Sequence, residues 1–340
     1  MTASGGMEGR AARSAPPALI PRFEGGSVVT VGTFDGVHLG HREVLREMGR
    51  RARHTGRPSV LVTFRPHPLQ VLRPKDAPGL LTSSIEKKEI LAQSDLDYAV
   101  FLPFTRALAR YTPRRFVEEI LVARMRVREL VIGYDHGFGR GRSGDAETLD
   151  AMGAELGFDV QVVPPIVAGG GPVSSSRIRR ALLEGDVRAA HTGLGRPYSL
   201  RGVVVRGDGR GRRLGFPTAN LEIRDSRKLI PGESIYAVRA GLPGGTWDGA
   251  LHIGPRPTFP GARASIEVHL LDYSADLRGA DLYGAEIRLD LIERLREVRS
   301  FASVAELVDE MSEDVRRARR ILAEYRDRHS FPPTRSRMTP

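Results

Sequence analysis

From residue 27 to residue 163, short apolar runs alternate with stretches of helical periodicity. Ser27–Gly32 (Ser-Val-Val-Thr-Val-Gly) is β-branched and closes on glycine, so it reads as a buried strand. Arg42–Arg53 then spaces Val44, Leu45, Met48 and Ala52 as one helix face. Ser59–Phe64, Tyr98–Leu102, Glu129–Gly133 and Asp159–Val163 repeat the strand pattern. Ser83–Ser94, Pro113–Arg126 and Ala146–Leu156 repeat the helical one, and the proline-interrupted Arg65–Leu72 reads as loop. Near-continuous apolar strands separated by helices predict a parallel sheet covered on both faces.

Ser176–Glu184 reads as a helix stopped at Gly185, and the pattern changes after about Pro197. Ser199–Arg206, Tyr236–Ala240, Gly249–Ile253, Ser265–Asp272 and Glu286–Arg294 are strand-like and divided by Gly/Pro turns, which predicts a compact antiparallel barrel. A capping box at Ser303–Glu306 opens a closing helix whose face carries Leu307, Val308, Met311, Val315, Ala318, Leu322 and Tyr325. The expected organisation is a disordered tail over 1–24, an α/β domain over 25–185, a linker over 186–198, a barrel domain over 199–330 and a tail over 331–340.

Composition narrows the function classes. The chain has 340 residues, 40% of them hydrophobic and 27% charged, as in a soluble globular protein. It holds no cysteine, so disulfides, thiolate metal sites and thiol nucleophiles are excluded. No apolar run reaches membrane-spanning length and residues 1–24 do not read as a signal peptide, so the cytoplasm is the expected compartment and no membrane partner is expected. The net charge is +11. Four of the 52 basic residues are Lys (Lys75, Lys87, Lys88 and Lys228) and the rest are Arg spread along the chain, with no nucleic-acid-binding motif beside them. Such a field favours phosphorylated substrates.

Two unlike segments carry candidate phosphate chemistry. In the first, Gly32-Thr33-Phe34-Asp35-Gly36-Val37-His38-Leu39-Gly40-His41 joins a strand to a helix. A helix N-terminus there offers free N–H groups and a positive dipole end. His38 and His41 lie three apart and can both face a phosphate, while Gly36 and Gly40 let the backbone approach. A metal pair and a plain capping turn are the competing readings. Farther on, Ser176 can cap a helix whose first turns carry Arg179, a planar fork of donors; an ordinary surface helix reads the same way. Gly139–Gly144 satisfies Gly-x-Gly-x-x-Gly but lacks the acid that a dinucleotide fingerprint requires. In the second segment, Gly207, Gly209, Gly211 and Gly215 form a donor-rich loop, followed after Pro217 by Thr218 and Asn220. A hydroxyl and an amide at spacing two suit Mg²⁺; a simple Gly/Pro hairpin is the alternative. Glu267 and His269 share the polar face of Ser265–Leu270, where Glu267 can accept a hydroxyl proton or merely meet solvent.

The first segment resembles the His-x-Gly-His nucleotidyltransferases, and most of all the adenylyltransferase half of prokaryotic bifunctional riboflavin kinase/FAD synthetases. Three further segments are similar to that family: Thr63-Phe64-Arg65-Pro66-His67-Pro68, Gly133-Tyr134-Asp135-His136-Gly137-Phe138-Gly139 and Ser174-Ser175-Ser176-Arg177-Ile178-Arg179. Arg213–Asn220, Ile266–His269 and Asp281-Leu282-Tyr283-Gly284 resemble its kinase half. Ser176, His136, His252 and the Asp276–Ala280 extension depart from the family pattern.

The resemblance implies a Rossmann-like nucleotidyltransferase domain followed by a riboflavin-kinase-type barrel with a C-terminal helix. It implies phosphorylation of riboflavin to FMN in the barrel and adenylylation of FMN to FAD in the first domain, with ATP as co-substrate in both. By it, His38, His41 and Glu267 are catalytic. Gly32, Phe34, Asp35, Gly36, Gly40, Ser175, Ser176 and Arg179 hold one nucleotide, and Gly209, Gly211 and Gly215 the other. Asp135, Phe64, Pro66 and His67 meet flavin, and Thr218 and Asn220 hold Mg²⁺. The partners expected are riboflavin, FMN and ATP, without nucleic acid; self-association stays open. The rival readings are a nucleotidyltransferase for another cofactor precursor with a silent barrel, and a basic nucleic-acid-binding protein on an enzyme scaffold.

Overall fold

A computed structural model describes residues 13–15, 23–134, 137, 144–207, 209–255, 265–273 and 282–329. The chain divides into two compact units, Met1–Ser175 and Ser176–Pro340.

In the first unit the strands are β1 (Arg13–Ala15), β2 (Ser27–Val31), β3 (Ser59–Arg65), β4 (Tyr98–Pro103), β5 (Val127–Gly133) and β6 (Asp159–Val163). They form one sheet in the order β1-β4-β3-β2-β5-β6, and every pairing is parallel. The connecting helices are α1 (Leu39–Thr55), α2 (Pro68–Leu72), α3 (Ser84–Ala92), α4 (Pro113–Phe116) and α5 (Ala146–Leu156). Strand residues alternate between two cores, as the two-residue period requires. Val29, Val31, Val60 and Val62 pack with Phe116, Val117 and Leu121. Val28, Leu61 and Val131 pack with Val44, Leu45 and Met48 of α1. The chain runs from β2 outward through β3 to β4, then returns to β5 on the other side of β2. This reversal makes the carboxyl end of β2 the place where an open α/β sheet offers a ligand crevice.

The second unit begins within α6 (Ser175–Leu183) and continues through α7 (Val187–Leu194), β7 (Tyr198–Val205), α8 (Arg210–Arg213), β8 (Ala219–Glu222), β9 (Ser234–Leu242), β10 (Gly245–Gly254), β11 (Ser265–Leu270), β12 (Glu286–Glu297) and α9 (Val304–His329). The six strands close into an antiparallel barrel ordered β10-β11-β8-β7-β12-β9. β7 alternates buried and part-buried residues over its whole length, the signature of a strand with one face on a core. Ala318 and Leu322 of α9 pack on Ile235, Ala237, Ile292 and Leu295. Ser303 Oγ caps Glu306 N at 3.2 Å, while the Glu306 carboxylate reaches back to Ala302 N at 3.1 Å.

Four local features differ from the sequence reading. Residues 13–15, within the expected tail, pair with β4 as an edge strand. Pro68–Leu72 is helical, because His67 caps it and Pro68 occupies the first turn, where a missing N–H costs nothing. The helix expected over Pro113–Arg126 becomes a π-helix at Val117–Val122. Val187–Leu194, within the expected linker, is a helix capped by Asp186 and closed by the left-handed Gly195.

Candidate active sites

The first site is the turn between β2 and α1. Three residues in it have positive φ: Phe34 at 47°, Gly36 at 83° and Val37 at 40°. Glycine takes that conformation freely, whereas for phenylalanine and a β-branched valine it costs on the order of 1–3 kcal/mol each. The surroundings hold the turn. The Asp35 carboxylate, 1% exposed, accepts hydrogen bonds from Leu81 N and Thr82 N, both at 3.0 Å, and from Thr82 Oγ1 at 3.2 Å. Thr82 Oγ1 also receives Gly36 N at 3.1 Å, and Ser175 Oγ donates to Asp35 O at 3.0 Å. The Thr33 carbonyl accepts from Lys87 Nζ at 2.7 Å and from Thr63 Oγ1 at 3.1 Å.

This clamped turn places three rings in a stack. Phe34 lies on His41 with centroids 4.5 Å apart, and His41 on His38 at 3.7 Å. His38 caps α1, its Nδ1 accepting from His41 N at 3.4 Å, so the neutral ring keeps Nε2–H as a donor. His41 Nδ1 is buried and finds no hydrogen-bond partner among the described residues. Burial, then the charges of His38 and Lys87, hold the His41 imidazole well below its usual titration range, so it is neutral at physiological pH. Gly32 follows β2 and Gly40 lies in the first turn of α1 beside His38. Among the described residues no cluster of three His, Asp or Glu is placed to hold a metal ion.

The other residues expected in this domain are dispersed. Phe64 packs edge-on against Phe104 at 5.4 Å, Pro66 follows a cis peptide bond, and His67 caps α2 by accepting from Leu69 N at 3.2 Å. Ser176 and Arg179 follow Ser175 on α6 and belong to the second unit. Asp135, most of Gly139–Gly144 and the Asp276–Ala280 extension lie outside the described residues.

The second site is a cavity of about 170 Å³ in the barrel unit. Its lining includes Gly209, Gly211, Thr218, Asn220 and Glu267 together with Val298, Phe301, Leu307, Met311 and Val315. Strand register explains the polar part of the lining: Glu267 of β11 pairs with Asn220 of β8 on one side and with His252 of β10 on the other. Paired residues in antiparallel strands point to the same face, so three polar side chains form a row across the wall. Thr218 Oγ1 donates to Glu267 Oε2 at 3.1 Å, and Ser265 Oγ to Glu267 Oε1 at 2.6 Å. Asn220 stands so close to Gly207 that a Cβ there would lie 2.1 Å from its amide nitrogen. Gly211 is the second residue of α8, and Gly215 lies just beyond its end. His269, two residues beyond Glu267 on β11, is held by Pro217 O at 2.8 Å and by the edge of Phe216.

Sequence comparison assigns both halves. The FAD synthetase family matches residues 20–177, and the riboflavin kinase family matches residues 194–322. A bifunctional riboflavin kinase/FMN adenylyltransferase of Escherichia coli K12 is 39% identical over 86% of this chain and 92% of its own length. Its Bacillus subtilis counterpart is 34% identical over 92% and 97%. The chain belongs to the bifunctional riboflavin kinase/FMN adenylyltransferase family. A solved structure described as a macrolide-efflux protein from Streptococcus pneumoniae also superposes, with a TM-score of 0.77, 32% identity and coverage of 86% of this chain and 94% of that one. No helix among the described residues is long and apolar enough to cross a membrane.

The FAD synthetase match contains the whole β2–α1 turn, and the riboflavin kinase match contains the cavity. Sequence reading missed the residues that hold these sites: Thr82 and Lys87 on either side of the α3 cap, and Ser265 beside Glu267. The Ser83–Glu86 capping box was a signal for where Thr82 falls. Nothing in the sequence distinguishes Lys87 from the adjacent Lys88.

Proposed function

We propose that this enzyme builds FAD from riboflavin in two ATP-dependent steps, one in each unit. The observation that carries the reading is that each matched region encloses its own phosphate-directed site: a donor stack at the sheet's switch point, and a glutamate-centred cavity beside a glycine-rich loop. The matches to both enzyme families do not favour a silent barrel or a nucleic-acid-binding role.

In the barrel, Glu267 is the general base. It takes the proton of the riboflavin 5′-hydroxyl; the oxygen bonds to the γ-phosphorus of ATP, the bond to the bridging oxygen breaks, and ADP leaves. Thr218 and Ser265 each donate to one oxygen of Glu267 and so aim it. The apolar side chains of the lining, Phe301, Leu307 and Met311 among them, take the flavin ring. Mg²⁺ fits the donor set, because the Thr218 hydroxyl, the Asn220 amide oxygen and the Glu267 carboxylate are hard oxygen ligands on one wall. Thr218 and Asn220 would hold it, and it would neutralise phosphate charge during transfer.

In the first unit, an FMN phosphate oxygen attacks the α-phosphorus of ATP and pyrophosphate leaves. The substrate phosphate is itself the nucleophile, so no base or covalent intermediate is required. His38 and His41 supply N–H donors to the charge that develops on the phosphates. Gly32, Gly36 and Gly40 leave room for the triphosphate, and Asp35 acts through the turn it fixes. Ser175 adds a phosphate donor, and Phe64, Pro66, His67 and Asp135 serve the flavin.

Incubation with riboflavin, ATP and Mg²⁺, resolved by chromatography, yields FMN and then FAD. In Glu267→Gln the first product falls by roughly 10²–10⁴-fold while added FMN is still converted. Persistence of both reactions in that variant rules out Glu267 as the base, and ATP turnover indifferent to flavin rules out the reading as a whole.

A further inference from the structure

Lys87 has no part in the reaction as derived, yet its charge bears on His41 of the ring stack. It lies on α3, 8% exposed, with its ammonium 2.7 Å from the Thr33 carbonyl. Burying a lysine is costly unless its charge is used, because desolvation disfavours the ammonium. Burial does lower the Lys87 pKa, and the nearby Asp35 charge opposes that fall. Thr33 immediately precedes Phe34, the first residue of the strained turn and the outer ring of the stack. α3 therefore grips the turn twice: Thr82, just before its capping box, holds Asp35 and Gly36, and Lys87, one turn into the helix, holds Thr33.

Resting on the FMN-adenylylating reading of this turn, we infer that Lys87 is a positioning residue for adenylyl transfer, fixing the Thr33 carbonyl and through it the Phe34–His41–His38 stack that meets the nucleotide. Its ammonium acts on the backbone, through the Thr33 carbonyl. Its charge has a second consequence. The charged groups bearing on His41 are His38, at the cap of His41's own helix, and Lys87 from α3, with Asp35 set against Lys87. Lys87 and, in its protonated form, His38 disfavour the imidazolium, so His41 stays a neutral donor of fixed orientation. Removing the Lys87 charge removes one of the influences lowering the His41 pKa, and that pKa rises.

Lys87→Met tests this, because the stem stays and the ammonium goes. The expected result is a fall in kcat for FMN adenylylation of about tenfold or more, as misplacement of a reacting geometry produces. KM for ATP and FMN should stay within about threefold, the split expected when a transition-state interaction is lost. Riboflavin phosphorylation by the same chain is unchanged. The acid limb of the kcat–pH profile moves to higher pH, in step with the His41 imidazole followed by NMR in the ligand-free protein. Lys87→Arg restores the charge and regains most of the rate. A K87M chain with wild-type kcat and an unmoved His41 titration overturns the inference. Should K87M fail to fold, Thr63→Val carries the test: it removes the second donor to the same carbonyl without touching a charge, and is expected to lower kcat and leave His41 titrating as in the wild type. Wild-type kcat in T63V overturns the role given to that carbonyl. A wild-type chain that makes no FAD from FMN overturns the adenylylation reading instead, while the His41 titration still decides whether Lys87 acts on the stack.

Discussion

Asp35 of the β2–α1 turn commits its carboxylate to the protein itself. Both carboxylate oxygens are taken by protein donors, two of them backbone N–H groups of Leu81 and Thr82. Hydrogen bonds to a charged group contribute about 1.5–3 kcal/mol, and a buried donor left unmatched costs a similar amount. Asp35→Asn replaces one acceptor oxygen with an NH₂ that confronts a backbone N–H. FMN adenylylation is therefore expected to fall by on the order of tenfold or more, while riboflavin phosphorylation is unchanged. Separate assays from FMN and from riboflavin check this, and equal losses in both would point to general unfolding. The motif made the position legible in sequence, but not its direction. The partners, Leu81 and Thr82, are 46 and 47 residues away and are supplied by the approach of α3.

At the scale of elements, the long periodic segments were legible and the short ones were not. β2 through β6 follow from apolar runs whose alternation matches their two cores. β1 and β8, three and four residues long, are too short for any period to show, and they form because a neighbouring edge accepts them. α2 was obscured by its prolines, although Pro68 sits where proline is tolerated. Close backbone approach is likewise invisible until strands are paired. Gly207→Ala would put a Cβ 2.1 Å from Asn220 Nδ2, displacing a residue that faces Glu267. Since a shift of about 1 Å in a catalytic array can cost 10²-fold, G207A is expected to lose most FMN formation and keep FAD formation from FMN. Wild-type FMN formation in G207A would show that Asn220 tolerates displacement.

The junction of β12 and α9 carries a second element-scale prediction. Arg296 holds Asp314 through both carboxylate oxygens, at 3.0 and 2.7 Å, and also Glu310 at 3.1 Å. Burial is the largest influence on Asp314 and pushes its pKa up, despite Arg296. A carboxyl whose native pKa exceeds its unfolded value binds more protons when folded, so its ionised form opposes folding above that native pKa, and the opposition is relieved as pH falls through it. Arg296→Met strands the carboxylate and is expected to cost about 3–5 kcal/mol at neutral pH. The deficit narrows on acidification, and Arg296→Met with Asp314→Leu recovers much of it. Trp247, the single tryptophan, lies in β10 and reports barrel unfolding in urea. A deficit independent of pH would mean that lost packing, not the stranded charge, is the cause.

For the whole molecule, the decisive property is that each unit has its own core and its own built site. The sheet unit buries Val29, Val60 and Leu130 around the scaffold of the histidine turn, and the barrel unit buries Ile235, Ala237 and Leu322 below its cavity. Neither site uses a catalytic group from the other in the reactions derived above. FMN, the product of one and substrate of the other, is a small soluble anion, and a chain of net charge +11 attracts it from solution. Two crippled chains should therefore complement each other. Glu267→Gln retains the adenylylating site, and His38→Ala with His41→Ala retains the kinase cavity. An equimolar mixture, given riboflavin, ATP and Mg²⁺, is expected to release FMN first and then form FAD after a lag, whereas either variant alone stops short. Raising the concentration of the Glu267→Gln chain should shorten the lag, because capture of free FMN is then bimolecular. A mixture that accumulates FMN but no FAD, with each variant still active in its own half-reaction, would mean that the flavin passes between sites only within one chain.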